Sequence, residues 1–348
     1  MIGLVLLLVL AIGVPVFAVV AMAVLTGFLQ AELEPALLII SVLELGDQVQ
    51  LLAVPLMSFV AAILGRDYYL NSWILPISSM AGENSGLNPS SIAVRLLSAL
   101  ASGCAVGLTM VIPAVLYTAI SEVAAPRHSV SAEVLLVTAL IPVALVAVAA
   151  ACMPGLGGRA RSVFGSVSVA AERTGRPLWD LGAAILLLVA VVAGWLALLD
   201  VALVAAIWAA VTRVLVFHEL SWQQLTDKAV RAAVTSAGVL LVVGLSLAWA
   251  AILHDAGTLQ ALSDGIGRGT GQTLAFLLVA SLLLVAGGFV FGLQIGVVLI
   301  APLIVPVGLS LGVDALGLGV MCLVGVLLGR GSLALVRAPL PEGGGPTS

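Results

Sequence analysis

The chain has 348 residues, of which 62% are apolar and only 9% are charged, and its mean hydropathy is +1.28. A soluble protein covers its surface with about 25% charged residues, so this composition excludes soluble domains, disordered chains and disulfide scaffolds. The net charge is −4 and no basic block is present, which excludes a nucleic-acid binder. The sequence therefore predicts an all-α polytopic membrane protein.

The first membrane half is predicted to cover residues 1–158. It opens with a charge-free stretch that ends at Ala31 and lacks the basic start of a signal peptide, so we expect a genuine helix. Polar residues, glycines and prolines interrupt the apolar pattern near residues 44–66 and 98–117, and both segments are predicted to be broken. Val134–Gly158 is a plain span.

Residues 159–231 are predicted to form two basic connectors around a scaffold hairpin. Arg159–Asp180 holds four basic residues and Arg213–Arg231 holds three, so both are expected to face the cytoplasm, with Asp200 near the opposite side. The second membrane half covers residues 232–338. Residues 269–313 carry no charge, and this length indicates two segments, with a break near 287–308 at Pro302 and Pro306. The tail, residues 339–348, is predicted to be disordered.

Broken helices in both halves, among about 8–10 spans or re-entrant segments, are typical of a secondary transporter. The stretch Ala53–Met57 faintly echoes Ile300–Ile304, which indicates two related halves. Seven polar residues near the breaks and span ends are candidates for substrate or ion binding, although residues of these types at such positions more often pack, cap a helix or lie in a turn. They are Ser98, Ser102, Thr109, Asp200, Gln294, Asp314 and Ser332.

Enzyme motifs are absent from the sequence. Phe217–Ser221 contains a His-Glu pair but no second histidine at zinc-site spacing, and there is no phosphate loop or nucleophile elbow. The three cysteines lie far apart inside apolar stretches, as packing residues do. We therefore expect neither an enzyme nor a covalently bound cofactor.

Several stretches resemble the large membrane subunit of the tripartite ATP-independent periplasmic (TRAP) transporters. Leu51–Leu56 looks like the family's Leu-Leu-Ala-Ile-Pro-Leu, and Ile112–Val123 is similar to its Ile-Pro-Leu-x-x-Tyr…Thr-Glu-Val. Gly194–Asp200 keeps the spacing of Gly-x-x-x-Pro-Thr-Glu, and Arg213–Leu225 reads like the family's connector. Ala301–Asp314 resembles Ala-Pro-x-x-x-Pro…Leu-Gly-Ile-Asp.

The resemblance implies a permease of the bacterial inner membrane with a scaffold and an elevator-like transport domain. It implies secondary, ion-coupled symport of a small organic anion, such as a dicarboxylate, with sodium as the coupling ion. It also implies two partners: a small membrane subunit and a periplasmic substrate-binding protein. Two alternatives stay open, namely a transporter of another family that works without a binding protein, and a non-transporting scaffold subunit.

The sequence departs from the family pattern at its broken tips. The family's Pro-Pro-Ser is Thr109–Val111 here, its Gly-x-x-Thr-Pro-Pro is Gly329–Ala334, and its Asp ahead of the Ala-Pro segment is Gly292. Paired prolines hold carbonyl groups out of the helical ladder, where they can ligate a cation. Without those prolines, transport is predicted to be weak or independent of sodium.

Overall fold

The computed structural model describes residues 14, 16–31, 48–64, 110–124, 128–152, 176–255, 257, 265 and 270–337. These residues form ten α-helices and no strand, which confirms the all-α prediction. The helices are α1 Val16–Ala31, α2 Ala53–Leu64, α3 Val111–Ala124, α4 Ala132–Cys152, α5 Arg176–Val192, α6 Leu198–Val211, α7 Trp222–Asp255, α8 Thr270–Phe291, α9 Leu293–Ser310 and α10 Ala315–Arg337. Residues 44–47, 65–66 and 98–109 of the predicted broken segments, residues 159–175 of the first basic connector and the tail lie outside the described residues.

Five helical segments of the described chain are long and apolar enough to cross a membrane, and shorter apolar helices accompany them. An apolar chain in lipid must satisfy its backbone groups internally, and a helix does this within one segment. Helix α2 packs against α6 and α7, α8 packs against α9 and α10, and α3 packs against α9. One continuous apolar core runs between them.

The segment Leu198–Val216 shows how the chain fits a bilayer. Its 19 residues correspond to about 28 Å at 1.5 Å per residue, close to the roughly 30 Å of a hydrocarbon core. Trp195 lies just before it and is 77% exposed, and Trp222 lies just after it and is 67% exposed. Exposed tryptophans at both ends of a span are typical of residues that sit at the two membrane interfaces.

The connector Arg213–Arg231 is only partly a loop. A π-helical turn, Thr212–Val216, ends α6, and α7 already begins at Trp222. Ser221 caps α7, because its hydroxyl accepts from the N–H of Gln224 at 3.2 Å while its own N–H donates to the Gln224 side chain at 3.0 Å. The prediction of a polar connector up to residue 231 was therefore too long. The charged residues in it lie on the first turns of a 34-residue helix.

The elbow between α6 and α7 is closed by a buried arginine. Arg213 donates to the Glu219 carboxylate at 3.2 Å, and its side chain is only 6% exposed. Its guanidinium also lies over the Phe217 ring, 5.7 Å from the ring centre. His218, between those two partners, adopts the left-handed backbone conformation at φ 52°. These contacts fix the direction in which the chain re-enters the bundle as α7.

Polar contacts between helices show which residues lie at each of the two ends of the bundle. At the first end, which we name the acidic end, Glu133 of α4 accepts from the N–H of Leu198 at the start of α6. Gly319 of α10 lies against Leu135 near the start of α4, so α10 also begins at this end. At the second end, which we name the basic end, Lys228 of α7 donates to the carbonyl of Ala62 at the end of α2 at 2.6 Å.

Candidate functional site

The most distinctive backbone feature of the second half is a break between α8 and α9 at Gly292. This residue has φ 85° and ψ −177°, a conformation that a residue with a Cβ atom adopts only under strain. The N–H of Gly292 donates to Gly288 at 3.1 Å, and the carbonyl of Gly292 accepts from Gly296 at 3.1 Å. A single glycine therefore turns the chain between two antiparallel helices.

The break leaves a gap in the backbone ladder. Within the described residues, no backbone or side-chain donor reaches the last three carbonyls of α8, and no acceptor reaches the first three N–H groups of α9. The carbonyls belong to Phe289, Val290 and Phe291, and the N–H groups belong to Leu293, Gln294 and Ile295. Unsatisfied backbone groups cost several kcal/mol in hydrocarbon, so they are tolerated where they line protein or a polar cavity.

Closely packed glycines hold both helices of the break against α10. A Cβ atom on Gly288 would collide with the backbone of Val326, and a Cβ atom on Gly329 would collide with the backbone of Val285. Gly296 lies against Gly287 and the side chain of Val326. Because backbone atoms are in contact, the three helices cannot shift independently, and the position of the break is fixed relative to α10.

Pro302 and Pro306 do not interrupt the backbone, although the sequence pointed to them. Both lie inside α9, which is continuous from Leu293 to Ser310. Each proline removes one helical hydrogen bond, but neighbouring helices in a membrane compensate for this loss. The interruption in this segment is at Gly292 instead.

Two of the predicted site residues lie at the level of the break. Gln294 is half-buried in the first turn of α9. Gly329 packs on Val285 and on Phe289 at the end of α8, so Ser332, almost one turn further along α10, lies level with Gly292. The hydroxyl of Ser332 donates to the carbonyl of Gly329 at 2.8 Å, as a serine within a helix commonly does.

The two carboxylates lie at the acidic end, separated from the break by the length of α9, about 27 Å. Asp200 is exposed and accepts from the N–H of Ala197 at 3.2 Å. Asp314 is exposed and accepts from the N–H groups of Leu316 and Gly317 at 3.1 and 3.3 Å. Each carboxylate stabilises the start of its own helix. Their assignment to substrate or ion binding stays a prediction, and Ser98, Ser102 and Thr109 lie outside the described residues.

Sequence reasoning missed the polar groups that tie the helices together. The hydroxyl of the fully buried Tyr117 donates to the carbonyl of Ala315 at 2.7 Å, which joins α3 to the start of α10. Glu133 and Lys228 make the two contacts at the acidic and basic ends. The signal available for Tyr117 was a hydroxyl in an apolar segment, because such a group needs a partner when buried.

Comparison with known proteins assigns the family. Residues 104–331 match the family described as tripartite ATP-independent periplasmic transporter, DctM component. A search of the curated proteins finds no match to the chain. The matched region covers well over half of the chain and includes the break at Gly292, α3 with Tyr117, and the elbow between α6 and α7. The chain therefore belongs to the DctM family, the large membrane component of the tripartite ATP-independent periplasmic transporters.

Proposed function

We propose that this chain is the permease subunit for secondary uptake of a small organic anion, such as a dicarboxylate. In this proposal a periplasmic binding protein delivers the substrate, a small membrane subunit completes the complex, and the complex lies in the bacterial inner membrane. The observation that carries the proposal is the Gly292 break inside the region that matches a transporter family. Gly292 joins two helices that are each long enough to span a membrane, and the backbone groups left open at such helix ends are of the kind with which transporters bind their substrates.

The position of the basic residues in the described part of the bundle supports the cytoplasmic orientation of the basic end, which also carries Glu219 and Asp227. Glu122, Glu133, Asp200 and Asp314 all lie towards the acidic end. Lys228 and Arg231 lie on the first turns of α7 at the basic end, beside the Arg213 elbow. Basic residues accumulate on the cytoplasmic side of membrane proteins. The acidic end then faces the periplasm, where the binding protein would deliver its substrate.

The resemblance implies sodium as the coupling ion, but α10 offers few oxygen ligands for a cation. The helix continues without interruption through Gly329–Ser332 to Arg337, so the carbonyls of this stretch stay within the helical ladder. The Ser332 hydroxyl is engaged with Gly329, and Arg330 brings a positive charge to the same stretch. The open carbonyls of Phe289, Val290 and Phe291 at the break are three oxygen ligands, fewer than the roughly six that a hard cation prefers. We accordingly propose that uptake does not depend on sodium.

Reconstitution tests the transport function directly. The chain, together with its small membrane subunit and binding protein, is placed in proteoliposomes, and uptake of radiolabelled succinate is measured with sodium present or replaced by potassium. The test variant is Gly292→Ala, because alanine at φ 85° is strained by about 1–3 kcal/mol. The matched control is Gly271→Ala in the same pair of helices, where an added Cβ meets no atom within 4 Å.

Uptake that is unchanged in potassium, retained in Gly271→Ala and reduced at least about tenfold in Gly292→Ala supports the proposal. Size-exclusion profiles of both variants check that each is folded. Normal uptake by folded Gly292→Ala would contradict the role of the break. A wild-type complex that assembles but moves neither succinate nor other dicarboxylates would favour the non-transporting scaffold instead.

A further inference from the structure

One cation lies beside the break. Val326 of α10 contacts both Gly288 of α8 and Gly296 of α9. Gly292 is four residues from each of these glycines, and Arg330 is four residues beyond Val326, in the same direction along the bundle. Because four residues are about one helical turn, Arg330 lies on the face of α10 that packs against α8 and α9, at the level of Gly292.

Arg330 has no compensating charge in the described part of the chain. It lies inside the candidate span Ala315–Ser332 and is only partly exposed. The ion pair at this end joins Arg213 to Glu219, and no side-chain hydrogen bond or ion pair reaches Arg330 from the described residues. Arg330 is the third residue from the end of that span, so its charge lies near the basic end of the bundle. Within a span, arginines that face the interior of the bundle typically mark substrate pathways.

We propose that Arg330 binds a carboxylate group of the transported anion beside Gly292. This inference rests on the proposed function and names a residue that contacts the substrate. A guanidinium presents two parallel N–H donors that match a carboxylate, which a lysine can only partly replace. The half-buried amide of Gln294 lies in the same region and supplies a neutral donor. The fixed positive charge of Arg330 also attracts an anionic substrate, as a bound cation would.

Charged thiol reagents test the site without knowledge of the substrate. Gln294→Cys is introduced into the purified chain after replacement of its three cysteines, and three versions carry Arg330, Arg330→Gln or Arg330→Lys. Each reacts with an anionic methanethiosulfonate, the ethylsulfonate, and with a cationic one, the trimethylammonium. The ratio of the two rates cancels the reactivity of the thiol itself. The matched control is Ser310→Cys, which is exposed at the far end of the same helix.

The anionic-to-cationic ratio at residue 294 should fall about tenfold in Arg330→Gln, stay high in Arg330→Lys and remain constant at residue 310. A ratio at residue 294 that does not respond to Arg330→Gln would overturn the site, as would a thiol there that neither reagent reaches.

Succinate uptake by the reconstituted complex supplies the second readout. We expect Arg330→Gln to raise KM at least about tenfold, with partial rescue by Arg330→Lys. Unchanged KM in a transporting Arg330→Gln complex contradicts the site and leaves the proposed function intact. Absence of uptake in the wild type contradicts the proposed function, and the reagent ratio still decides whether Arg330 attracts anions.

Discussion

The contact between α8 and α10 gives the sharpest prediction of stability. Gly329 lies so close to α8 that a Cβ atom would sit 2.7 Å from the backbone nitrogen of Phe289 and 2.9 Å from the carbonyl carbon of Val285. These are backbone atoms, which cannot rotate away as the end of a side chain can. Gly329→Ala therefore requires the two helices to separate. Overpacking of this kind costs about 1–3 kcal/mol, partly offset by about 1 kcal/mol of gained helix propensity.

Gly331, two residues further along α10, provides the matched control. A Cβ atom there meets nothing within 4 Å, so Gly331→Ala retains the propensity gain of about 1 kcal/mol. We expect Gly329→Ala to be less stable than Gly331→Ala by about 2 kcal/mol. At roughly 2–4 °C per kcal/mol for chains of 150–250 residues, the melting temperatures should differ by about 5 °C.

Thermal unfolding in detergent, followed by the fluorescence of the six tryptophans, measures this difference. The change should also reach the break, because Phe289 lies three residues before Gly292. Equal melting temperatures for Gly329→Ala and Gly331→Ala would refute the close backbone contact between α8 and α10.

Three further predictions concern orientation and helix contacts. Cysteines at Ser168 and Gln224 should resist a membrane-impermeant reagent in intact cells, and labelling of either from outside would reverse the orientation. Asp200→Asn should change the melting temperature little, because the amide oxygen of asparagine can still accept from the N–H of Ala197, whereas Asp200→Ala removes this hydrogen bond and should cost about 1 kcal/mol; a large loss of uptake in a folded Asp200→Asn variant would instead reveal a role in coupling. Tyr117→Phe keeps the buried ring and removes the bond to Ala315, so unfolding should become easier by about 0.5–1.5 kcal/mol, and an unchanged melting temperature would contradict that bond.

The positions of the spans could be predicted from the sequence because charge-free runs report lipid contact directly. The run Val134–Gly158 corresponds to α4, Ala132–Cys152, within a few residues at its start. The division of residues 269–313 into two helices was also expected. The break lies inside the predicted segment 287–308, but at Gly292 and not at the two prolines, which are the stronger helix-breaking signal in sequence. A proline retains a helical φ angle, whereas a glycine at φ 85° leaves the helix altogether.

Contacts between distant segments could not be predicted from the sequence. Asp227, Lys228 and Arg231 indicated a solvated connector, yet all three lie on α7. Lys228 is compatible with a helix because its ammonium group reaches the carbonyl of Ala62, 166 positions earlier in the chain. A cation that meets the end of a helix is stabilised by the helix dipole and by the free carbonyls there. That partner is visible only after α2 and α7 have been packed together.

The structural role of a charged residue in an apolar sequence depends on its distance from a helix end. Asp200 and Asp314 each lie within one turn of a helix start, where free N–H groups favour a carboxylate, so their presence is explained by capping. Arg330 lies about two turns before the end of α10, where the backbone of its own helix is saturated and the open acceptors nearby are the neutral carbonyls at the end of α8. The cost of burying its charge is therefore offset by no counter-charge in the described part of the chain. An anion that passes through the permease is the partner that would remove this cost, and it would do so only while it is bound.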